Sequence, residues 1–313
     1  MQYYWGHNKL YNDYTSYCKK IFSVRVQKVS IDAGFTCPNI DGTKGTGGCS
    51  YCNNNAFSPF YCNQQKTVIQ QIDQGISFFG KKYKVQKYLA YFQAYTNTYA
   101  PLEKLKKLYS QALSHPCVIG LVIASRPDCV DKEKLDYLES LAKKYYIVIE
   151  YGIESCNNKT LLLVNRCHTF EESVKAIKMT TDRGIHIGAH LILGLPGENN
   201  DAIINNAKII SKLPIESLKL HQLQILKNTK MAGQFTESPE LFNIFTSDKY
   251  IELVVNFLEN LNPRIIIERF ISESPPKMII APQWNGLKNF EITNRIEKKL
   301  KQRDTWQGKL YNG

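Results

Sequence analysis

The chain has 313 residues, 43% of them hydrophobic, a length that fits one large α/β domain with short appendages. No apolar run reaches the roughly 18 residues that cross a bilayer, and the polar, aromatic N-terminus lacks the apolar core of a signal peptide, so we expect a cytoplasmic protein without membrane segments. Lysine and arginine number 40 against 28 acidic residues, and this net charge of +12 favours polyanionic partners, although a uniformly basic proteome would explain it equally well.

From residue 24 onward, short β-branched runs alternate with amphipathic segments, a pattern typical of βα units around a parallel sheet. Six predicted strands cover residues 24–33, 87–94, 117–125, 146–153, 185–193 and 217–226. Predicted helices cover residues 67–79, 102–113, 132–145, 169–184 and 201–213, and the fourth begins with a Thr-x-x-Glu cap. Six units are too few for an eight-stranded barrel, so we predict an α/β fold with an open, partial (β/α)6 barrel.

Three further elements follow the predicted barrel. They are a helix over residues 247–261, a strand over residues 264–271 and a basic helix over residues 287–301. We expect them to complete or cover the sheet. The predicted organisation is therefore an N-terminal extension (1–23), a barrel core (24–240) and a C-terminal extension (241–313).

The segment CPNIDGTKGTGGCSYC, residues 37–52, places Cys37, Cys49 and Cys52 among four glycines after the first predicted strand. Clustered cysteines in a cytosolic chain indicate a metal rather than disulfides, and glycine allows positive φ near a bulky centre. Three thiolates fit a zinc site completed by a fourth ligand such as Cys62, or an iron–sulfur cluster with one iron left open. The position at the C-terminal end of a barrel strand, where active sites lie, favours the cluster.

The other cysteines have no paired spacing, and we expect them to be small, largely buried thiols. They are Cys18, Cys62, Cys117, Cys129, Cys156 and Cys167. The run GTKGTGG is similar to a phosphate-binding loop, but it lacks the Gly-Lys-Ser/Thr ending that opens a helix. A nucleotide-binding loop is therefore disfavoured.

Further motifs follow the cysteine loop: YFQAYTNTYAP, ASRPDC, EYGIES, LLLVNRCHTFEE, AHLILGLPGE and KLHQLQILKNT. Over about residues 10–285 the sequence resembles radical S-adenosylmethionine (SAM) enzymes of the YhcC/YtqA type, which are related to the catalytic subunit of Elongator. The long first cysteine spacing matches this family and not the common CxxxCxxC pattern. The resemblance implies a 4Fe-4S cluster and SAM as cofactors. It also implies reductive cleavage of SAM to a 5′-deoxyadenosyl radical, with an electron donor such as flavodoxin or ferredoxin.

By this resemblance, Cys37, Cys49 and Cys52 bind three irons of the cluster, and Tyr51 contacts the adenine of SAM. The backbone of residues 93–96 takes the place of the segment that binds the amino group of methionine, although the usual glycines are absent. The implied cofactor-binding set beyond Tyr51 is Gln93, Ala94, Tyr95, Thr96, Ser125, Arg126, Glu154, Ser155, Arg166 and His190.

Within this set, Glu154 is expected to bind the ribose hydroxyls and Arg166 the methionine carboxylate, since an arginine fork fits a carboxylate. Arg126 is a second candidate for that carboxylate, and His190 a candidate ribose contact. Plainer alternatives stay open: a Glu154–Arg166 salt bridge, a solvated Arg126 and a core histidine at His190. The turn at residues 194–198 is expected to approach the adenine.

His221 and Gln222 on the sixth strand are expected to point toward the mouth as substrate contacts. Arg269 and Glu268 are further candidates, of which one should face away because side chains alternate along a strand.

The resemblance implies tRNA as partner and substrate, with modification of the C5 side chain of the wobble uridine, a base already unstacked in the anticodon loop. The chain is too short for Elongator's acetyltransferase domain, so we expect action on an existing C5 substituent. Two alternatives remain: a radical SAM enzyme for a small metabolite or peptide, and a non-catalytic, zinc-bearing nucleic-acid-binding protein.

Overall fold

The computed structural model describes residues 3–56, 58–81 and 86–313. The first part of the chain contains α1 (Tyr14–Phe22), β1 (Arg25–Ile31), α2 (Val68–Gly80), β2 (Gln86–Phe92), α3 (Leu102–Leu113), β3 (Val118–Ser125), α4 (Lys132–Ala142) and β4 (Tyr146–Glu154). Next come α5 (Asn158–Leu163), α6 (Phe170–Thr180), β5 (His186–Leu193), α7 (Asn200–Ile210) and β6 (Ser217–Gln222). The last part contains β7 (Ile225–Leu226), α8 (Lys230–Glu237), α9 (Ser247–Glu259), β8 (Ile266–Arg269), β9 (Ile279–Ala281) and α10 (Asn289–Gln302).

Seven strands form one sheet in the order β1-β2-β3-β4-β5-β6-β8. All six neighbouring pairs are parallel, and helices connect the strands, so the sheet curls into an open half-barrel. The predicted fold class is confirmed. The seventh strand, β8, comes from the predicted C-terminal extension and pairs with β6.

The strands form where the chain has nearly continuous apolar runs, because helices cover the sheet and bury the strands. Seven consecutive residues of β4, from 147 to 153, are buried. The cap predicted from Thr169 is also present: its hydroxyl accepts from the backbone N–H of Glu172, whose carboxylate accepts from the backbone N–H of Thr169. This cap fixes where α6 begins after the loop that contacts the cysteine segment.

The structure departs from the sequence prediction in the sixth strand. The predicted strand 217–226 divides into β6 and the short β7, and β7 pairs antiparallel with β9 instead of continuing in the main sheet. Helices α1, α5 and α8 were not predicted, since each is short; α5 has only six residues, too few to show a helical period. None of the helices in the described ranges is long and apolar enough to cross a membrane.

Candidate active site

A cavity of about 450 Å³ lies at the C-terminal ends of the parallel strands, where the loops after β1, β2, β3 and β4 meet. Most of the predicted site residues line it; the exceptions are Ser155, Gln222, Glu268 and the turn at residues 194–198. Residues from all seven strands of the sheet, or from the loops that follow them, therefore converge on one space. This volume falls within the range of ordinary small-molecule sites.

Ser155 and Gln222 stabilise the scaffold instead. The Ser155 hydroxyl is fully buried and donates to the carboxylate of Glu198, and it accepts from the backbone N–H of Asn157 at 2.9 Å. The Gln222 side chain donates to the carbonyl of Ser272 at 2.9 Å and accepts from its N–H at 2.8 Å. Because neighbouring residues of a strand face opposite ways, His221 enters the cavity and Gln222 does not.

Residues 161–166 hold the cysteine loop. The backbone N–H of Ser50 donates to the carbonyl of Val164 at 3.0 Å, and the side chain of Asn165 donates to the carbonyl of Gly48 at 2.8 Å. The fully buried Asn39 donates to the carbonyl of Asn165 at 2.6 Å and contacts the Cys49 sulfur at 3.6 Å. These contacts fix the loop from a segment more than a hundred residues away.

Glycine is required at Gly45 for space. A Cβ atom there would lie 2.8 Å from the Cys167 sulfur and closer still to the side chain of Asn39, and Asn39 is the residue that braces Cys49. At Gly48 the reason is conformational, since its φ is +73°. The glycine-rich composition thus allows the loop to fold tightly behind the cysteines.

Arg166 lies directly beside the cysteines. Its Nη1 donates to the Cys49 sulfur at 3.5 Å, and its Nη2 donates to the carbonyl of Gly152 at 2.6 Å and lies 3.5 Å from a carboxylate oxygen of Glu154. This contact places a positive charge beside the cysteine loop. Burial, followed by the neighbouring Cys49, raises the pKa of Cys52 to about 12, so metal binding there must displace a proton.

Several polar atoms around this cavity have no hydrogen-bond partner within the described ranges, although they are buried. They are the Tyr51 hydroxyl, Nη1 of Arg126 and the Nε atoms of Arg166 and Arg269. Buried polar groups are normally satisfied, so this set indicates a polar ligand in the cavity. Such a ligand would contact these atoms from the cavity side, where a bound cofactor would lie.

In the described parts of the chain, no three His, Cys, Asp or Glu side chains lie close enough to hold a single metal ion. A 4Fe-4S cluster makes a different demand, because each of its thiolates binds a different iron. Three thiols facing one cavity, with a cation beside them and unsatisfied polar atoms around them, fit such a cluster with SAM. Cys62, the candidate fourth ligand of a zinc site, does not line the cavity; its thiol donates to the carbonyl of Ser30 at 3.2 Å.

Arg126 is buried rather than solvated, with 2% of its surface exposed. Its guanidinium donates twice to Asp128, at 2.9 Å each, and Asp128 also pairs with Lys44 at 2.7 Å. Burial alone would raise the pKa of Asp128, but the two cations hold it at about 2. Arg126 therefore faces the cavity with its charge already matched by a carboxylate.

Below the cysteines, the interior of the half-barrel contains an ion network that the sequence analysis missed. The Lys28 ammonium lies 2.6 Å from Glu150 and 2.6 Å from Glu268, and the Lys219 ammonium lies 2.6 Å from Glu150 and 3.0 Å from Glu268. Tyr91 packs beneath Lys219, whose ammonium is 4.6 Å from the ring centroid. The signal available in the sequence was a single charged residue inside an otherwise apolar strand. Charged side chains are rarely buried unless they are paired, so such a residue predicts a partner of opposite charge.

His190 joins this network, as its Nε2 lies 3.0 Å from the Glu150 carboxylate. Burial lowers the pKa of His190, so the imidazole is neutral at pH 7 and its Nε2–H donates. The expectation that one of Glu268 and Arg269 faces away is wrong. Lys219 pairs with Arg269 and Leu218 with Ile267, which leaves Glu268 as a bulge, and both side chains consequently reach the interior.

The comparisons with known proteins agree on one family. The sequence profile described as Radical SAM superfamily matches residues 40–210, and that of the Radical_SAM C-terminal domain matches residues 215–302. YtqA of Bacillus subtilis (strain 168) is 35% identical over 303 residues, which cover 97% of this chain and 93% of that protein. A tRNA uridine(34) acetyltransferase of Methanocaldococcus infernus is 24% identical over 206 residues, which cover 64% of this chain and 36% of that protein.

Among solved structures, the archaeal Methanocaldococcus infernus Elp3 with an N-terminal deletion (1–46) superposes with a TM-score of 0.67 at 15% identity. The superposition covers 91% of this chain and 64% of that chain. At this identity the match shows a shared fold. It agrees with the half-barrel of parallel strands described above.

Proposed function

Because the chain belongs to the radical SAM superfamily, we propose that it is an enzyme that modifies tRNA at the C5 side chain of the wobble uridine. Enzymes of this superfamily use a 4Fe-4S cluster and SAM, and they need a reductant. The observation that carries the proposal is the convergence of Cys37, Cys49 and Cys52 with Glu154 and Arg166 on one cavity at the strand ends.

In this proposal the three cysteine thiolates hold the cluster. Arg166 lies next to Cys49 and places a positive charge beside the cluster ligands, while Glu154 at the end of β4 faces the same cavity and accepts from the ribose hydroxyls of SAM. The backbone of residues 93–96 and the ring of Tyr51 complete the SAM site. When bound, the reduced cluster and SAM supply a radical that removes a hydrogen atom from an unactivated carbon.

RNA as substrate is supported by charge beside the mouth. Lys227, Lys230 and Lys277 are exposed and form no ion pair within the described residues. Lys230 begins the helix whose Met231 N–H donates to the carbonyl of Ser50 in the cysteine loop at 2.8 Å, and Lys227 N–H donates to the carbonyl of Met278, next to Lys277, at 2.8 Å. Three cations without an ion pair in the described part of the chain therefore flank the loop, where they can contact phosphates. A small-metabolite enzyme would need no such flank.

The named target of a relative supports the same substrate. The similarity to a tRNA uridine(34) acetyltransferase covers 64% of this chain, and the net charge of +12 has the sign that a nucleic-acid partner requires. We propose that the modified group is a substituent already present at C5 of the uridine. A base in an anticodon loop can enter a cavity of this kind at a cost of a few kcal/mol or less, because it is already unstacked.

The test is a comparison of tRNA nucleosides from otherwise identical cells with and without the gene. We expect one modified wobble uridine to disappear and its precursor to accumulate in the cells that lack the gene, as measured by liquid chromatography and mass spectrometry. Complementation with the wild-type gene should restore the product, whereas the Cys49→Ala gene should not. An unchanged set of wobble uridines would contradict tRNA as the substrate and leave the superfamily assignment intact.

A further inference from the structure

The charges inside the half-barrel do not balance. Lys28 and Lys219 share the two carboxylates of Glu150 and Glu268 through contacts of 2.6 to 3.0 Å, so two cations are matched by two anions. Arg269, the next residue of β8, lines the cavity beside them and has no carboxylate within 4.0 Å among the residues that the structure describes. An unmatched cation in a low-dielectric site is unfavourable unless a ligand compensates it.

Arg269 is held in place by a neutral partner. Its Nη2 donates to Nε2 of His221 at 2.8 Å, so Nε2 is the acceptor and the imidazole cannot carry a second proton there. Burial, followed by the charge of Arg269, lowers the pKa of His221 well below its usual range. His221 therefore orients the guanidinium without neutralising it, and Nε of Arg269 is buried without a partner in the described ranges.

The other two arginines of the cavity differ in this respect. Arg126 is paired with Asp128 at 2.9 Å and Arg166 with Glu154 at 3.5 Å. The remaining carboxylate nearby, Glu273, is exposed and accepts from the backbone N–H of Asn289 at 2.6 Å, at the start of α10. Arg269 is thus the cavity arginine whose charge is left for a ligand.

We propose that Arg269, oriented by His221, binds an oxyanion carried by the substrate, either a carboxylate or a phosphate. A guanidinium presents two parallel N–H donors that fit both groups. SAM has a single carboxylate, and Arg166 and Arg126 are its expected partners. This inference depends on the proposed function in one respect: a substrate must enter this cavity beside SAM.

The experiment measures binding to anaerobic, cluster-loaded protein in the presence of SAM by isothermal titration calorimetry. A uridine with a carboxylate on its C5 substituent is compared with its methyl ester, and uridine 3′-monophosphate is compared with uridine. Acetate and inorganic phosphate serve as probes without a base. The proteins are wild type, Arg269→Gln, Arg269→Lys and the control Arg264→Gln, which changes an exposed arginine just before β8.

We expect one anionic probe to bind wild type more tightly than its neutral counterpart. Arg269→Gln should weaken that probe roughly 10- to 100-fold, because it removes a charged hydrogen-bond donor. Arg269→Lys should retain part of the affinity, since lysine keeps the positive charge but lacks the two parallel N–H donors of the guanidinium. Arg264→Gln should bind like wild type, and the affinity for SAM, which also reports that each variant is folded, should not change.

The anionic probe that responds identifies the source: the carboxylate nucleoside points to the base substituent and the 3′-monophosphate to the RNA backbone. Binding of acetate or phosphate that depends on Arg269 supports the subsite even where the tRNA comparison is negative, so the two proposals fail separately. The subsite is overturned if no anionic probe binds better than its neutral counterpart. It is also overturned if Arg269→Gln weakens SAM, which would assign the guanidinium to the cofactor.

Discussion

Replacing Cys49 with alanine will abolish assembly of the iron–sulfur cluster. Cys49 is buried, is contacted by Asn39 at 3.6 Å and Arg166 at 3.5 Å, and faces the cavity with Cys37 and Cys52. A cluster held by only three thiolates loses a third of its protein ligands with one substitution, and no other thiol lines the cavity within the described residues. We expect iron and sulfide to fall from about four per chain to near background after anaerobic reconstitution.

The matched control is Cys62→Ala. Cys62 is also partly buried, and its thiol donates to the carbonyl of Ser30 at 3.2 Å, away from the cavity. This variant should keep the full iron and sulfide content and the visible absorption of wild type. Equal loss of cluster in Cys62→Ala and Cys49→Ala would instead indicate a site with four cysteine ligands.

Replacing Glu150 with glutamine will destabilise the fold more than any surface substitution. Glu150 is 1% exposed and compensates Lys28 and Lys219, both at 2.6 Å. Its loss leaves two buried ammonium groups with the single carboxylate of Glu268, and breaking a buried ion network in this way costs about 3–5 kcal/mol. The measurement is the free energy of unfolding in urea at pH 7. The control Glu252→Gln removes a half-exposed carboxylate that pairs with Lys299 and Arg303 near the surface and should cost about 1 kcal/mol or less.

The same network makes the stability of the fold depend on pH. Burial alone would raise the pKa of Glu150, but Lys219 and Lys28 outweigh burial and hold it well below 4.5. A carboxylate with a depressed folded pKa contributes stability that is present above its ordinary pKa and is lost as the pH falls through the folded value. Wild type should therefore lose this stability below about pH 4.5. The free energy of unfolding of Glu150→Gln should fall less steeply over the same acidic range. The same pH dependence in both proteins would contradict the network.

The half-barrel was predictable because its strands are buried on both faces and appear in the sequence as short apolar runs of similar length separated by amphipathic helices. The cysteine loop was predictable because its ligands are close in sequence. Glu154 and Arg166 could be placed by resemblance alone, and the structure then brings them to within 3.5 Å of each other.

The interior network could not be predicted, because its partners lie far apart in the chain. Lys28 and Glu150 are 122 residues apart, and their contact depends on how the sheet curls. The alternation of side chains along a strand also fails to predict β8, where the bulge at Glu268 turns two neighbouring side chains inward. Ser155 and Gln222, which were predicted to contact ligands, are polar residues at strand ends whose hydrogen bonds to Glu198 and Ser272 hold loops together. Nothing in their local sequence separates this role from ligand binding.

The most direct measurement of the central claim is product analysis of anaerobically reconstituted wild-type protein, reduced with dithionite and incubated with SAM. Reductive cleavage at a cluster held by Cys37, Cys49 and Cys52 predicts the formation of 5′-deoxyadenosine and methionine in equal amounts, detected by liquid chromatography and mass spectrometry. Protein that carries a complete, reducible cluster and binds SAM, yet forms no 5′-deoxyadenosine, would contradict the claim.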